Sequence, residues 1–220
     1  MEQGYFFIGD VLGFKNIIQN SKDSFLDGKV DGWLRLVDEA TEISKSRIKP
    51  QLISDTVFCK ASADRAGLRS LISFARHLLN EGIKQSILVR GAITYGPYNW
   101  GRLTYGKAVI AAHELEMAQD WIGVACSELP DQDTCWGNDG LVCYPAPFKA
   151  GSIKLHPCVV WDVPSDDDLV KASTAFPLTR AGEELQNPWR QRLRNTATFG
   201  SYVKGLTVGE TWGTYRGPVL

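Results

Sequence analysis

The chain opens on an apolar, aromatic run: GYFFIGD (4–10) has the pattern of a buried strand that stops at Gly9-Asp10. Helical spacing follows over about 14–20 and again over about 30–47, where Trp33, Leu36, Val37, Ala40 and Ile43 recur. QLISDTVFCKA (51–61) predicts two short strands around a tight turn at Ser54-Asp55, since both side chains bond back to their own backbone. Residues 64–81 carry one apolar stripe, Leu68, Leu71, Ile72, Ala75, Leu78 and Leu79, and predict an amphipathic helix. SILVRGAITYG (86–96) has the best β pattern in the chain. A helix is expected over 105–119 with Val109, Ala112, Leu115 and Ala118 inward, and strands over 121–127 and 152–163. Residues 128–150, rich in Pro, Gly, Asp and Asn, have the composition of a long surface loop. Beyond 164 the pattern weakens to a helix at 188–206 and a tail, GETWGTYRGPVL, suited to docking on a partner subunit.

The predicted order is β-α-α-β-β-α-β-α-β. A hairpin interrupts the alternation of strands and helices, which favours an α+β fold with a mainly antiparallel sheet and helices packed on it. Composition agrees with one core: 220 residues, 44% hydrophobic and 22% charged. Residues 1–165 form the main unit and 166–220 a helical extension and tail of the same domain. With 24 basic against 25 acidic residues, no basic excess points to nucleic acid as a partner. Cysteines at 59, 126, 135, 143 and 158 are odd in number and lack CxxC spacing, which argues against a disulfide framework or zinc site and for buried small hydrophobes in a reducing cytoplasm. MEQGYFFIGD lacks the basic start and long apolar core of a secretory signal, and no apolar run approaches the roughly 20 residues needed to span a bilayer. The expectation is a cytoplasmic protein without a membrane partner.

Two acids stand out by position. Asp10 ends a buried strand and Asp55 sits at a hairpin tip between apolar strands. A carboxylate at the end of a hydrophobic strand is costly unless exposed, paired or metal-bound. If the first strand lies beside the hairpin the two carboxylates converge, and such a pair can hold two divalent cations about 3.5–4 Å apart for phosphoryl chemistry. The plain alternative is that Asp10 caps the next helix and Asp55 stabilises a turn. Gly13 follows Asp10 by three residues at a helix start, where backbone N–H groups of Leu12, Gly13 and Phe14 could cradle phosphate.

Four segments in this order resemble the class III adenylate and guanylate cyclases, over residues of about 5–127. DVLGF resembles their first-strand motif, LISDTVF their metal-binding hairpin, VRGAITYG their Arg-(I/V)-Gly-(I/L)-x-x-Gly strand, and YGKAVIAAHELEMA their dimerisation arm and helix. The resemblance implies a ferredoxin-like core, two Mg²⁺ or Mn²⁺ ions on Asp10, Asp55 and the Val11 carbonyl, and a homodimer with active sites between subunits. Departures are informative. Ile110 replaces the usual Asn of the helix, Glu114 the Arg that stabilises the transition state, Gln51 the Lys that reads a purine, and Ser54 the Gly before the second acid. The pyrimidine cyclases of Pycsar anti-phage systems are the more similar group, because Gly106, Ala108, Ala112, Leu115 and Glu116 match their helix pattern, with His113 in the aromatic place. That resemblance implies UTP or CTP as substrate and a separate cyclic-nucleotide-binding effector that senses the product. A purine cyclase and an inactive nucleotide-binding module are the alternatives.

Further candidates are weaker. Gln51 is a base reader whose amide can both donate and accept. Arg90 either reaches phosphate or forms a buried ion pair. Arg102 and Lys107 flank the arm and could bring positive charge across a dimer interface, while His113 lies on the helix facing the expected site. Trp100 and Tyr105 are expected in interface packing, and His77 and His156 in structural roles.

Overall fold

The computed structural model describes residues 1–20, 23–44, 47–127, 129–130, 140–174 and 187–206. Its elements are β1 (Glu2–Val11), α1 (Phe14–Asn20), α2 (Asp23–Ile43), β2 (Lys49–Ile53), β3 (Thr56–Ser62), α3 (Arg65–Lys84), β4 (Val89–Asn99), β5 (Tyr105–Gly106), α4 (Lys107–Ala118), β6 (Gly123–Ser127), β7 (Leu141–Pro147), β8 (Ile153–Val159), α5 (Asp166–Thr174) and α6 (Asn187–Gly205).

β1 is the spine. It pairs antiparallel with β3 on one side and β4 on the other, and β2 adds outside β3. The order β2-β3-β1-β4, with α1 and α2 joining β1 to β2 and α3 joining β3 to β4, is the βαββαβ arrangement. The sheet continues as β6-β8-β7 beyond β4, and β4–β6 is the parallel pair among its described pairings. The α+β expectation with a mainly antiparallel sheet therefore holds.

Strand alternation divides labour between the faces. Phe7 of β1 meets Phe74 of α3 edge-on at 5.5 Å, so its face is sealed by α3 and, behind it, α2. The stripe foreseen on α3 is buried throughout, and Asp64 caps that helix by accepting the Gly67 N–H at 2.7 Å. Phe6, Ile8 and Asp10 point to the other face, where α4 lies across β4 and β1.

Three expectations change. β7 lies inside the stretch read as a surface loop, and Leu141 to Tyr144 are buried. Pro145 and Pro147 mask it in the sequence, and it tolerates them because it is a sheet edge, pairing with β8 alone. Residues 105 and 106 form a short strand on β4, so α4 starts at Lys107. Gly106 has φ 142°, and a Cβ there would stand 2.5 Å from the Pro97 carbonyl oxygen, so the arm turns only at glycine. α5 opens the stretch expected as a helical extension, where the sequence pattern singles out a helix only at 188–206.

α6 joins the common core. Phe199 packs on Trp121 at 4.7 Å and Tyr144 at 4.9 Å, and Asn195 donates to the Asp120 carbonyl at 2.7 Å. The tail at 209–220 and Cys135 lie outside the described residues; the other four cysteines are buried and free. Among the described residues no helix is long and apolar enough to cross a membrane.

Candidate functional site

Sheet register brings the two acids to one place. Asp10 stands across from Thr56 on β3 and Arg90 on β4. Ile53 pairs with Thr56, leaving Ser54-Asp55 as a two-residue hairpin loop. Ser54 has φ 59° and Asp55 has no positive φ, the sign pattern of a type II′ turn, whose first position favours glycine. Ser54 therefore holds a left-handed backbone conformation that a glycine would adopt at less cost. Thr56 donates from Oγ1 to Asp10 Oδ1 at 3.1 Å, tying the hairpin base to β1 beside Asp55.

The Asp10 carboxyl is pushed up from its ordinary 3.8 to about 7. Burial is the largest cause, followed by the charges of Asp55 and Glu116; the Thr56 hydrogen bond and Arg90 pull the other way. The charge of an ionised Asp10 is thus poorly compensated. Two carboxylates with the Val11 carbonyl are hard oxygen donors, so this end of the sheet fits Mg²⁺ or Mn²⁺. Among the described residues no group of three or more His, Cys, Asp or Glu side chains could hold a metal, so carbonyl or ligand oxygens would have to complete the shell.

Of the two readings of Arg90, the ion pair is the one found. Its Nε and Nη2 meet Glu116 Oε1 at 2.6 and 2.5 Å, and Nη1 donates to the Gln119 carbonyl at 3.2 Å. Gln119 Nε2 returns a bond to the Gly91 carbonyl at 2.8 Å. The last turn of α4 is therefore stitched to β4 next to Asp10. The proposed phosphate cradle loses one member: the Leu12 N–H already donates to the Leu88 carbonyl at 2.8 Å. Gly13, with φ 83°, turns the chain into α1, which begins at Phe14.

Gln51 lies on the same face, further from the acids. It pairs with Phe58, which pairs with Ile8. Its Oε1 accepts from Thr104 Oγ1 at 3.3 Å, so the arm after β4 folds back over β2 of its own chain. Arg102, Lys107 and His113 are exposed, and none is held at the acids within one chain. Ile110, Glu114 and Met117 share the outward side of α4 with Lys107 and His113. Trp100 packs within the chain, edge-on to Phe6 at 6.2 Å and under Lys60 Nζ at 5.9 Å; Tyr105 is exposed. His77 lies 3.5 Å from Glu39, and His156 Nδ1 lies 3.0 Å from the Cys126 carbonyl oxygen. Sequence reasoning missed Thr56 and Thr104. Only the position of Thr56 immediately after Asp55 signalled it; Thr104 gave no signal.

No family model matches the chain, and no curated protein matches it by sequence. Solved structures do match by shape. The adenylyl cyclase CyaB from P. aeruginosa superimposes with TM-score 0.51 at 15% identity, over 72% of this chain and 94% of that one. The guanylate cyclase domain of RhGC from Catenaria anguillulae, in complex with GTP, gives 0.55 at 17% identity, over 72% and 96%. The non-canonical dimeric guanylyl cyclase domain of the RhoGC fusion protein from the aquatic fungus Blastocladiella emersonii gives 0.56 at 16% identity, over 72% and 96%. The fold is that of the class III cyclase domains.

Proposed function

We propose that this chain is a nucleotide cyclase domain that closes UTP, or CTP, to the 3′,5′-cyclic monophosphate with release of diphosphate. The observation that carries the cyclase reading is the convergence of Asp10 and Asp55 at the β1–hairpin junction of a class III cyclase fold. The ribose 3′-oxygen bonds to the α-phosphorus, the bond from that phosphorus to the bridging oxygen breaks, pyrophosphate leaves, and the hydroxyl proton goes to solvent. Asp10, Asp55 and the Val11 carbonyl would hold two Mg²⁺ or Mn²⁺ ions, which when bound supply charge neutralisation and a more acidic 3′-hydroxyl. Thr56 holds Asp10 in its rotamer through the Oδ1 bond. The amides of Gly13 and Phe14 open α1 towards the triphosphate. Gln51 reads the base.

The acting unit is a homodimer. Leu103 and Ile110 are 70% and 60% exposed, and Ile53, Tyr105 and Met117 add to an apolar surface on the arm, α4 and the hairpin that a second copy would bury. That copy would also bring Arg102, Lys107 and His113 towards the acids, supplying the charge that Ile110 and Glu114 do not. Pyrimidine choice rests on the sequence resemblance to Pycsar cyclases, and with it a role as defence signal in the bacterial cytoplasm, the product being read by a separate effector. The neighbouring structures, an adenylyl cyclase and a guanylate cyclase domain in complex with GTP, favour a purine cyclase instead, and Ile110 and Glu114 favour an inactive module. Incubation with each NTP and Mn²⁺, followed by mass spectrometry, separates the three. UTP or CTP should be cyclised at least about tenfold faster than ATP or GTP; cyclic AMP or cyclic GMP as main product overturns the pyrimidine reading, and no product overturns the cyclase reading.

A further inference from the structure

Arg90 stands directly across from Asp10 in the β1–β4 register, so the two side chains leave the sheet on the same face. Opposite charges placed this way on neighbouring strands attract and pair. Here they do not pair. Nε and Nη2 of Arg90 go to Glu116 and Nη1 to the Gln119 carbonyl, while Asp10 accepts the Thr56 hydroxyl alone among the described residues. The competing partners are well fixed. The Arg90 and Glu116 side chains are 5% and 3% exposed. Gln119 donates from Nε2 to the Gly91 and Leu115 carbonyls at 2.8 and 3.1 Å, and its Oε1 accepts the Trp121 indole N–H at 2.8 Å. The charges of Arg90 and Glu116 both act on Asp10, with opposite sign.

We propose that Glu116 is a positioning residue that holds Arg90 away from Asp10 and so leaves the Asp10 carboxylate open to a divalent cation. This rests on the reading of Asp10 as a cation ligand. A guanidinium on Asp10 would form charge-assisted hydrogen bonds, neutralise the carboxylate and cover the oxygen that Thr56 leaves free. A cation would then have to displace it. Glu116 removes that competitor in advance. Its charge cancels that of Arg90, and its place on the last turn of α4 draws the guanidinium towards the helix. The acid keeps both its charge and an open oxygen.

The test is Mn²⁺ affinity, read from free Mn²⁺ by electron paramagnetic resonance. It should fall about tenfold or more in Glu116→Gln. It should return to the wild-type value in the double variant Arg90→Gln/Glu116→Gln, which has no guanidinium to compete. A pair that only staples α4 to β4 would be damaged in both, so equal loss in the two, or no loss in Glu116→Gln, overturns the proposal. In chelator at about pH 8, Asp10→Asn should raise the melting temperature of the wild type and lower that of Glu116→Gln, where Asp10 has become the partner of Arg90. The same sign in both backgrounds also overturns it. If Glu116→Gln does not fold, the Arg90 Nε–H signal in nitrogen NMR decides: Asp10→Asn should leave it in place, and a displaced signal would make Asp10 its partner. Failure of the wider reading looks different. A wild-type Mn²⁺ affinity in Asp10→Asn would remove the cation ligand on which the proposal stands. An affinity lost in Asp10→Asn but kept in Glu116→Gln would remove the role of Glu116 alone.

Discussion

The two ends of one sheet face are built differently. At the acid end, Asp10 sits on a strand paired on both sides, Thr56 bonds it, and Arg90 is locked to Glu116, all within one chain. At the other end, Gln51 rides on edge strand β2 and is held by a single hydrogen bond to the arm, beside exposed apolar side chains. On the proposed function, one chain preassembles the chemistry, while the recognition half is left open for a substrate and a second subunit.

The sharpest way to break this contrast is at the acids. Asp10→Ala or Asp55→Ala should lower cyclisation by about a thousandfold while circular dichroism is unchanged, since each would remove a proposed ligand of both cations. A variant retaining more than a tenth of the activity would reject the acid end as the chemical centre. Next comes the pair that stiffens it. Glu116→Ala leaves a buried guanidinium without its partner and should cost about 3–5 kcal/mol in urea denaturation, with Glu116→Gln costing less. A loss below 1 kcal/mol would mean that Arg90 finds another acceptor. At the open end, Ile110→Glu on the outward side of α4 should leave the melting temperature unchanged but shift light scattering to monomer and cut activity per chain by about tenfold or more. An active monomer would show that one chain contains the whole site.

The smallest expected effect concerns protons. Folded chains without metal keep Asp10 protonated up to about pH 7, while unfolded chains release that proton near the ordinary 3.8. Between these values the folded state binds more protons, so the Asp10 contribution falls as pH rises through the window. In chelator, Asp10→Asn should therefore gain on the wild type between pH 5 and 8, by about 1–2 kcal/mol once partial exposure is allowed for. Mn²⁺ should then stabilise the wild type at pH 8 and not the variant. Parallel stability curves for the two proteins would show that Asp10 is not strained in the folded chain.

What the sequence made legible follows the range of the interactions involved. The α3 stripe and the Ser54-Asp55 hairpin depend on neighbours a few residues apart, so periodicity and turn chemistry exposed them. β7 was hidden because Pro145 and Pro147 are forbidden in a central strand and harmless at an edge, and strand order is invisible in a sequence. α5 begins with Asp166, Asp167 and Asp168, which look like solvent-facing loop until Leu169 and Ala172 are seen to be buried. The two acids were legible from their placement against apolar runs. Their setting was not: Arg90 and Glu116 lie 26 residues apart, Gln51 and Thr104 lie 53 apart, and only the packing of α4 and the arm joins them.

Edge position has a consequence for how the molecule breathes. β2 hydrogen-bonds to β3 alone, whereas β1 is flanked by β3 and β4. Amide hydrogens of β2 should exchange with deuterated solvent through small local openings, those of β1 only through unfolding of most of the domain. Bound nucleotide should slow exchange on β2 far more than on β1. On the proposed roles of Gln51 and Asp10, the same inequality lets the base-reading strand be rewritten with little cost to the strand that closes the ring.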